Sequence, residues 1–195
     1  RISVAILIIT AALYSVLTVS RNTVWKTELT LWKDTVEKSP DKFRPNYNVA
    51  EAYKKAGHPD IALSYYQKAY TINPLSYGLC NNMGNIYSGE NKWDEAEKYY
   101  KEALYLKPDY PKALNNLANI YFRKKDFMSA EKMYVKAIEE DPRFVDPVLN
   151  LGHLYYMTGH YEQAADNYRK VLMLDPDNAA AQNNLKIIMS GSGVK

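Results

Sequence analysis

Cysteine is almost missing. Cys80 is alone among 195 residues, so no intrachain disulfide framework can form. Histidine is nearly as scarce. His58, His153 and His160 are the full set, and none has a His or Cys three or four residues away to complete a metal site. No HExxH motif and no phosphate-cradling glycine loop occurs. Acidic runs such as Glu139, Glu140 and Asp141 close a helical stretch before Pro142 and read as solvated. These absences exclude the common hydrolytic, nucleotide-binding and metal-dependent enzyme classes, so no catalytic residue, metal or cofactor is expected. An excess of one charge is absent too. Lys and Arg number 25 against 22 Asp and Glu, leaving a net charge of +3 with the signs interspersed. That is a solvated surface, so nucleic acid is not an expected partner.

What is present is a period. Pro40, Pro74, Pro108, Pro142 and Pro176 are spaced by 34 residues. In the same phase run Ala62, Ala96, Ala130 and Ala164, then Tyr53, Tyr87, Tyr121 and Tyr155, then Tyr66, Tyr100, Tyr134 and Tyr168. A fixed period of this size means one supersecondary unit copied along a solenoid. Four units start at Phe43, Tyr77, Pro111 and Val145. Each places Val49, Met83, Leu117 or Leu151 at its seventh position, a small residue (Ala50, Gly84, Ala118, Gly152) next, and a tyrosine three later. That spacing is one stripe of a first helix. Gly57, Asn91, Lys125 and Gly159 mark a turn, where a left-handed residue ends the helix; Lys125 fits least well. A second helix carries the in-phase Ala, the tyrosine four later, and Ala69, Ala103, Ala137 or Val171. Small residues allow close helix approach, and the proline stops the helix. Cys80 falls at a packing position and reads as a buried thiol.

This pattern of small, aromatic and proline positions over 43–176 resembles the tetratricopeptide repeat (TPR) family. The family's usual tryptophan is replaced by Asn46, Cys80, Leu114 and Val148. The resemblance implies an all-α, right-handed superhelix of αα-hairpins with repeats 43–76, 77–110, 111–144 and 145–178. Residues 179–189 read as a capping first helix. Residues 22–42 read as a connecting and N-capping segment, in which 24–39 forms a lone second helix with Trp32 in the aromatic slot. The tail 190–195 reads as flexible.

Residues 2–19 contain no charge, and Arg1 and Arg21 bracket them. At 1.5 Å per residue, roughly 18 residues span about 27 Å, close to a bilayer's hydrocarbon core. The run is apolar on every side, so a transmembrane helix over 1–21 and a lipid bilayer as partner are expected. The junction after it carries Arg21, Asn22, Trp25, Glu28, Leu31 and Pro40. It resembles the junction in multi-spanning membrane proteins with C-terminal TPR arrays, including the transmembrane-and-TPR O-mannosyltransferases and bacterial relatives. That resemblance implies an extracytoplasmic array on a longer product whose catalytic part lies upstream, so no catalytic residue transfers to this chain.

Asn48, Asn82, Asn116, Asn150 and Asn184 also recur at 34, at position six of each first helix. Asn costs about half a kcal/mol relative to Ala inside a helix, so five in phase need a reason. Position six lies about 100° around the helix from the packing stripe. First helices line the concave side of TPR arrays, so the resemblance implies a carboxamide ladder facing a groove, similar to the ladder in O-GlcNAc transferases. Each carboxamide offers an acceptor and a donor, and so could meet a peptide amide in either sense. Alternatively these side chains bond to one another and set the repeat geometry. Neighbours on the same face are Arg44, Lys112 and Asp146 at position two, and Glu51, Asn85, Asn119 and His153 at position nine, with Phe122, Tyr156 and Met157 as apolar anchors. Tyr47, Glu51, Asn81 and Asp146 stand where a basic carboxylate clamp would need cations. The expected function is a membrane-anchored module binding an extended peptide or partner protein. The alternatives are the acceptor-recruiting arm of a polytopic glycosyltransferase, or an assembly scaffold; self-association into homo-oligomers is left open.

Overall fold

A computed structural model describes residues 2–24 and 26–191, without the side chains of 2–5, 7 and 20–24. Among the described residues there are eleven helices and no strand. They are α1 (Ile2–Val24), α2 (Glu28–Lys38), α3 (Phe43–Lys55), α4 (Pro59–Ile72), α5 (Tyr77–Gly89), α6 (Trp93–Leu106), α7 (Pro111–Arg123), α8 (Phe127–Glu140), α9 (Val145–Met157), α10 (Tyr161–Leu174) and α11 (Ala179–Met189). Two units divide the chain: the first runs to Leu75 and carries α1–α4, and the second starts at Ser76 and carries α5–α11.

The helix ends follow from local chemistry. Each of α2, α4, α6, α8 and α10 stops two residues before an in-phase proline. The intervening residue leaves the helical region; Ser39, Asn73, Lys107, Asp141 and Asp175 have φ between −142° and −145° and ψ between 63° and 96°. A following proline imposes this by clashing with a helical predecessor. At the tight turns, Gly57, Asn91, Lys125 and Gly159 have φ of 80°, 60°, 62° and 81°. Lys125 adopts the left-handed conformation although a β-carbon disfavours it, so the turn overrides the residue's preference.

In the first unit α3 packs on α4, and α2 packs on α3. Val49, Ala50, Ala62, Tyr66 and Ala69 are fully buried. Asn46, in the family's tryptophan slot, is also buried, and its amide donates to the Pro40 carbonyl at 2.6 Å and the Lys42 carbonyl at 2.8 Å. It thereby ties the in-phase proline segment to α3. A capping box between Thr27 and Thr30 starts α2.

In the second unit the hairpins α5–α6, α7–α8 and α9–α10 stack through α6 on α7 and α8 on α9, and α11 closes the stack against α10. Ala96, Ala103, Ala130, Ala137 and Ala164 have no exposed surface, and Tyr100, Tyr134 and Tyr168 fill the space the alanines leave. At Gly84 and Gly152 the approach is closer still. A β-carbon there would lie 2.6 Å from the Tyr100 ring and 2.8 Å from the Tyr168 ring. Cys80 is fully buried, and burial pushes its thiol up to about 12, which disfavours the thiolate.

Helix α1 differs from all the others. Ile6, Ile8, Ile9, Leu13, Tyr14, Val16, Leu17 and Val19 are 56–72% exposed. Among the described residues no helix is long and apolar enough to cross a membrane. The described side chains of α1 are those of Ile6 and residues 8–19, so both ends of the apolar run lie outside them. The span expected over 2–19 is therefore not shown. The helix also runs three residues past the expected end at Arg21.

Candidate partner-binding face

In the second unit the first helices α5, α7 and α9 stand side by side. Their shared face carries a carboxamide network. Asn116 Nδ2 donates to Asn81 Oδ1 at 3.0 Å and to Asn85 Oδ1 at 2.9 Å. One repeat on, Asn150 Nδ2 donates to Asn115 Oδ1 at 3.0 Å and to Asn119 Oδ1 at 3.2 Å. The tyrosines of the second helices join in. Tyr100 Oη donates to Asn85 Oδ1 at 2.9 Å, and Tyr134 Oη to Asn119 Oδ1 at 2.5 Å. Burial holds both phenols well above the usual tyrosine range, so they stay protonated donors.

A carboxamide has two N–H groups and one oxygen. At Asn116 and Asn150 both N–H groups are taken, leaving Oδ1. At Asn85 and Asn119 the oxygen receives two bonds, leaving the NH₂ group. The expectation that each ladder carboxamide offers both a donor and an acceptor is thereby corrected for Asn116 and Asn150. Position six shows an acceptor and position nine shows a donor, because the hydrogen bonds between repeats orient the amides. Asn81 and Asn115 are only 4% exposed, so their oxygens would be stranded without this pairing. The sequence reading missed position five. Its signal was the doublet in Asn81-Asn82 and Asn115-Asn116, each followed by Asn85 or Asn119 three residues after the second Asn.

The remaining expected residues are spread out. Asn82 is half-buried on α5. Asn48 is half-buried and Arg44 exposed on α3, in the first unit, where position nine is Glu51. Glu51 accepts from Tyr66 Oη and from Lys54 Nζ. Lys112 is exposed on α7. Asn184, on α11, sits beside Tyr168. Tyr168 Oη is buried and unpaired, and burial pushes it up to about 12 with Asn184 pulling the other way. Tyr156 packs edge-on against Tyr161, 5.5 Å between centroids, and Met157 is exposed. The His153 ring lies 5.4 Å from that of Phe122.

His153, Phe122, Asn119 and Asn150 meet Ser88, Arg123 and Tyr134 around a cavity of about 430 Å³. No acidic side chain lines it. Among the described residues no group of His, Cys, Asp and Glu is placed to hold a metal ion.

The repeat geometry has known counterparts. Sequence patterns of the tetratricopeptide repeat match residues 43–74, 79–110, 111–144 and 149–178. The chain belongs to the TPR family. A search of curated proteins finds no significant match. Among solved structures the TPR array is similar to MamA, with a TM-score of 0.69 at 19% identity over 77% of this chain and 88% of that one. It is also similar to YrrB, described as a TPR protein with an unusual peptide-binding site, with a TM-score of 0.67 at 18% identity and 83% coverage of each chain. The first TPR domain of Spaghetti (RPAP3), solved bound to the HSP90 peptide SRMEEVD, matches 60% of this chain and 92% of its own, with 28% identity and a TM-score of 0.57.

Proposed function

We propose that this TPR array binds an extended segment of a partner protein along the α5–α7–α9 face. The alternation of unspent acceptors at Asn116 and Asn150 with unspent donors at Asn85 and Asn119 carries the reading. An extended chain presents N–H and C=O groups to one side, and this face offers complements to both without reading side chains. The peptide-binding site described for YrrB and the peptide complex of RPAP3 agree with such a role. A photo-crosslinking residue at Asn85 or Lys112 should capture a partner in the native host, and one at Met128, 83% exposed on α8, should not. Capture confined to Met128 would instead favour an assembly scaffold that docks a folded partner elsewhere.

A membrane anchor through α1 is part of the proposal. Its described apolar side chains are exposed in all directions. Its hydroxyls bond back into their own helix: Thr10 to the Ile6 carbonyl at 3.0 Å, Ser15 to Ala11 at 2.8 Å and Thr18 to Tyr14 at 2.7 Å. A helix in hydrocarbon must satisfy its polar groups internally. The full chain should float with phosphatidylcholine liposomes and resist carbonate extraction, whereas the chain cut after Ser39 should stay in solution. Flotation of both would put the attachment elsewhere.

A further inference from the structure

We infer that the cavity lined by Arg123, His153, Asn119, Asn150, Phe122 and Ser88 is a subsite for an acidic side chain of the bound segment. This inference rests on the groove reading above and sharpens it from backbone recognition to sequence preference.

The argument starts from Arg123. Its guanidinium stacks on the Trp93 ring, 4.8 Å from the centroid. Stacking fixes the plane of the fork and leaves its N–H edge available. Among the described residues Arg123 forms no ion pair. The nearby acids are engaged by the next residue instead: Lys124 Nζ lies 2.5 Å from Asp94 and 2.6 Å from Glu97. A cation lining the cavity therefore keeps its charge without an acidic partner.

The other walls add donors. The Asn119 amide is turned so that Oδ1 faces Tyr134 and Asn150, which aims its unspent NH₂ group away from them. His153 carries at least one ring N–H in either tautomer, and Phe122 holds that ring from one side. Ser88 adds a hydroxyl. The acceptors on the wall are fewer: the Asn150 oxygen suits a backbone N–H of the same segment. A carboxylate accepts only, and a planar fork meets it through two parallel bonds. A lysine or arginine side chain would face a like charge and find no acid among the lining residues.

The test uses fluorescein-labelled decapeptides of alternating serine with glutamate, or serine with glutamine, read by anisotropy against the full chain in detergent. The glutamate peptide should bind at least ten-fold more tightly than the glutamine one. Arg123→Gln should remove that preference. Asn119→Asp should abolish glutamate-peptide binding; it keeps the oxygen that Tyr134 and Asn150 need, so thermal melts should show it folded. Lys132→Gln, on the exposed side of α8, should change nothing. Equal binding of the two peptides, or a preference that survives Arg123→Gln, overturns the acidic subsite while the groove reading stands. Absence of binding by either peptide also overturns it, and the Asn85 crosslinks then decide whether the groove reading falls with it.

Discussion

The four repeats share one buried tyrosine and differ in what meets its hydroxyl. In the first repeat Tyr66 donates to Glu51, itself paired to Lys54 at 2.9 Å. In the second and third, Tyr100 and Tyr134 donate to Asn85 and Asn119. In the fourth, position nine is His153, and Tyr168 has no partner. The ring is constant because it fills the space between two helices lined by small residues. The partner varies because any acceptor at position nine satisfies the hydroxyl. Where that acceptor is an Asn, the next repeat's Asn116 or Asn150 joins it, and the face there acquires oriented donors and acceptors. Ring packing thus belongs to the fold, and the chemistry above it belongs to individual repeats.

The largest break should come at the ring itself. Gly84→Ala adds a β-carbon into the Tyr100 ring and should destabilise by about 1–3 kcal/mol through overpacking, despite the better helix propensity of alanine. Ala118 tolerates its methyl at the same repeat position, so urea melts of Gly84→Ala that match wild type would show the Tyr100 ring free to move. Next comes the network. Asn116→Ala strands the buried Asn81 oxygen and should cost about 1–3 kcal/mol. Asn48→Ala, at position six of the first repeat, should stay within about 0.5 kcal/mol. Equal losses would dissolve the distinction between the repeats.

The hydroxyls should separate by sign. Tyr134→Phe removes a hydrogen bond and should cost about 1 kcal/mol, whereas Tyr168→Phe removes a buried unpaired group and should be neutral or stabilising. A loss at both would mean that Asn184 partners Tyr168 after all. The smallest effect concerns charge. Burial would raise the Glu97 carboxyl, but hydrogen bonds from Lys101 and Lys124 outweigh it and hold it below its ordinary value. A depressed folded-state value means stability that is present above the unfolded value near 4.5 and lost as pH falls through the folded one. Glu97→Gln should therefore flatten the acid limb of the thermal melting profile slightly, and an unchanged limb would show the cluster to be screened by solvent.

The repeats were legible from the chain alone because their signals are local and repeated. A proline stops a helix wherever it stands, a left-handed turn selects Gly or Asn, and Ala–Tyr spacing repeats the same packing contact. Those rules placed the helix starts at Phe43, Tyr77, Pro111 and Val145 and the terminal helix at Ala179. Asn recurrence at position six was legible in the same way, but its orientation was not. Which atom of Asn116 faces outward depends on Asn81 and Asn85, some thirty residues away and one repeat back. Arg123 was invisible as a groove residue because its role depends on a stacking partner from another helix and on Lys124 engaging the nearby acids. Periodicity determines the scaffold, since each unit repeats one set of short-range contacts. The polarity of the face was decided only when neighbouring repeats came together, because a carboxamide's free edge is whatever its neighbours leave unbonded.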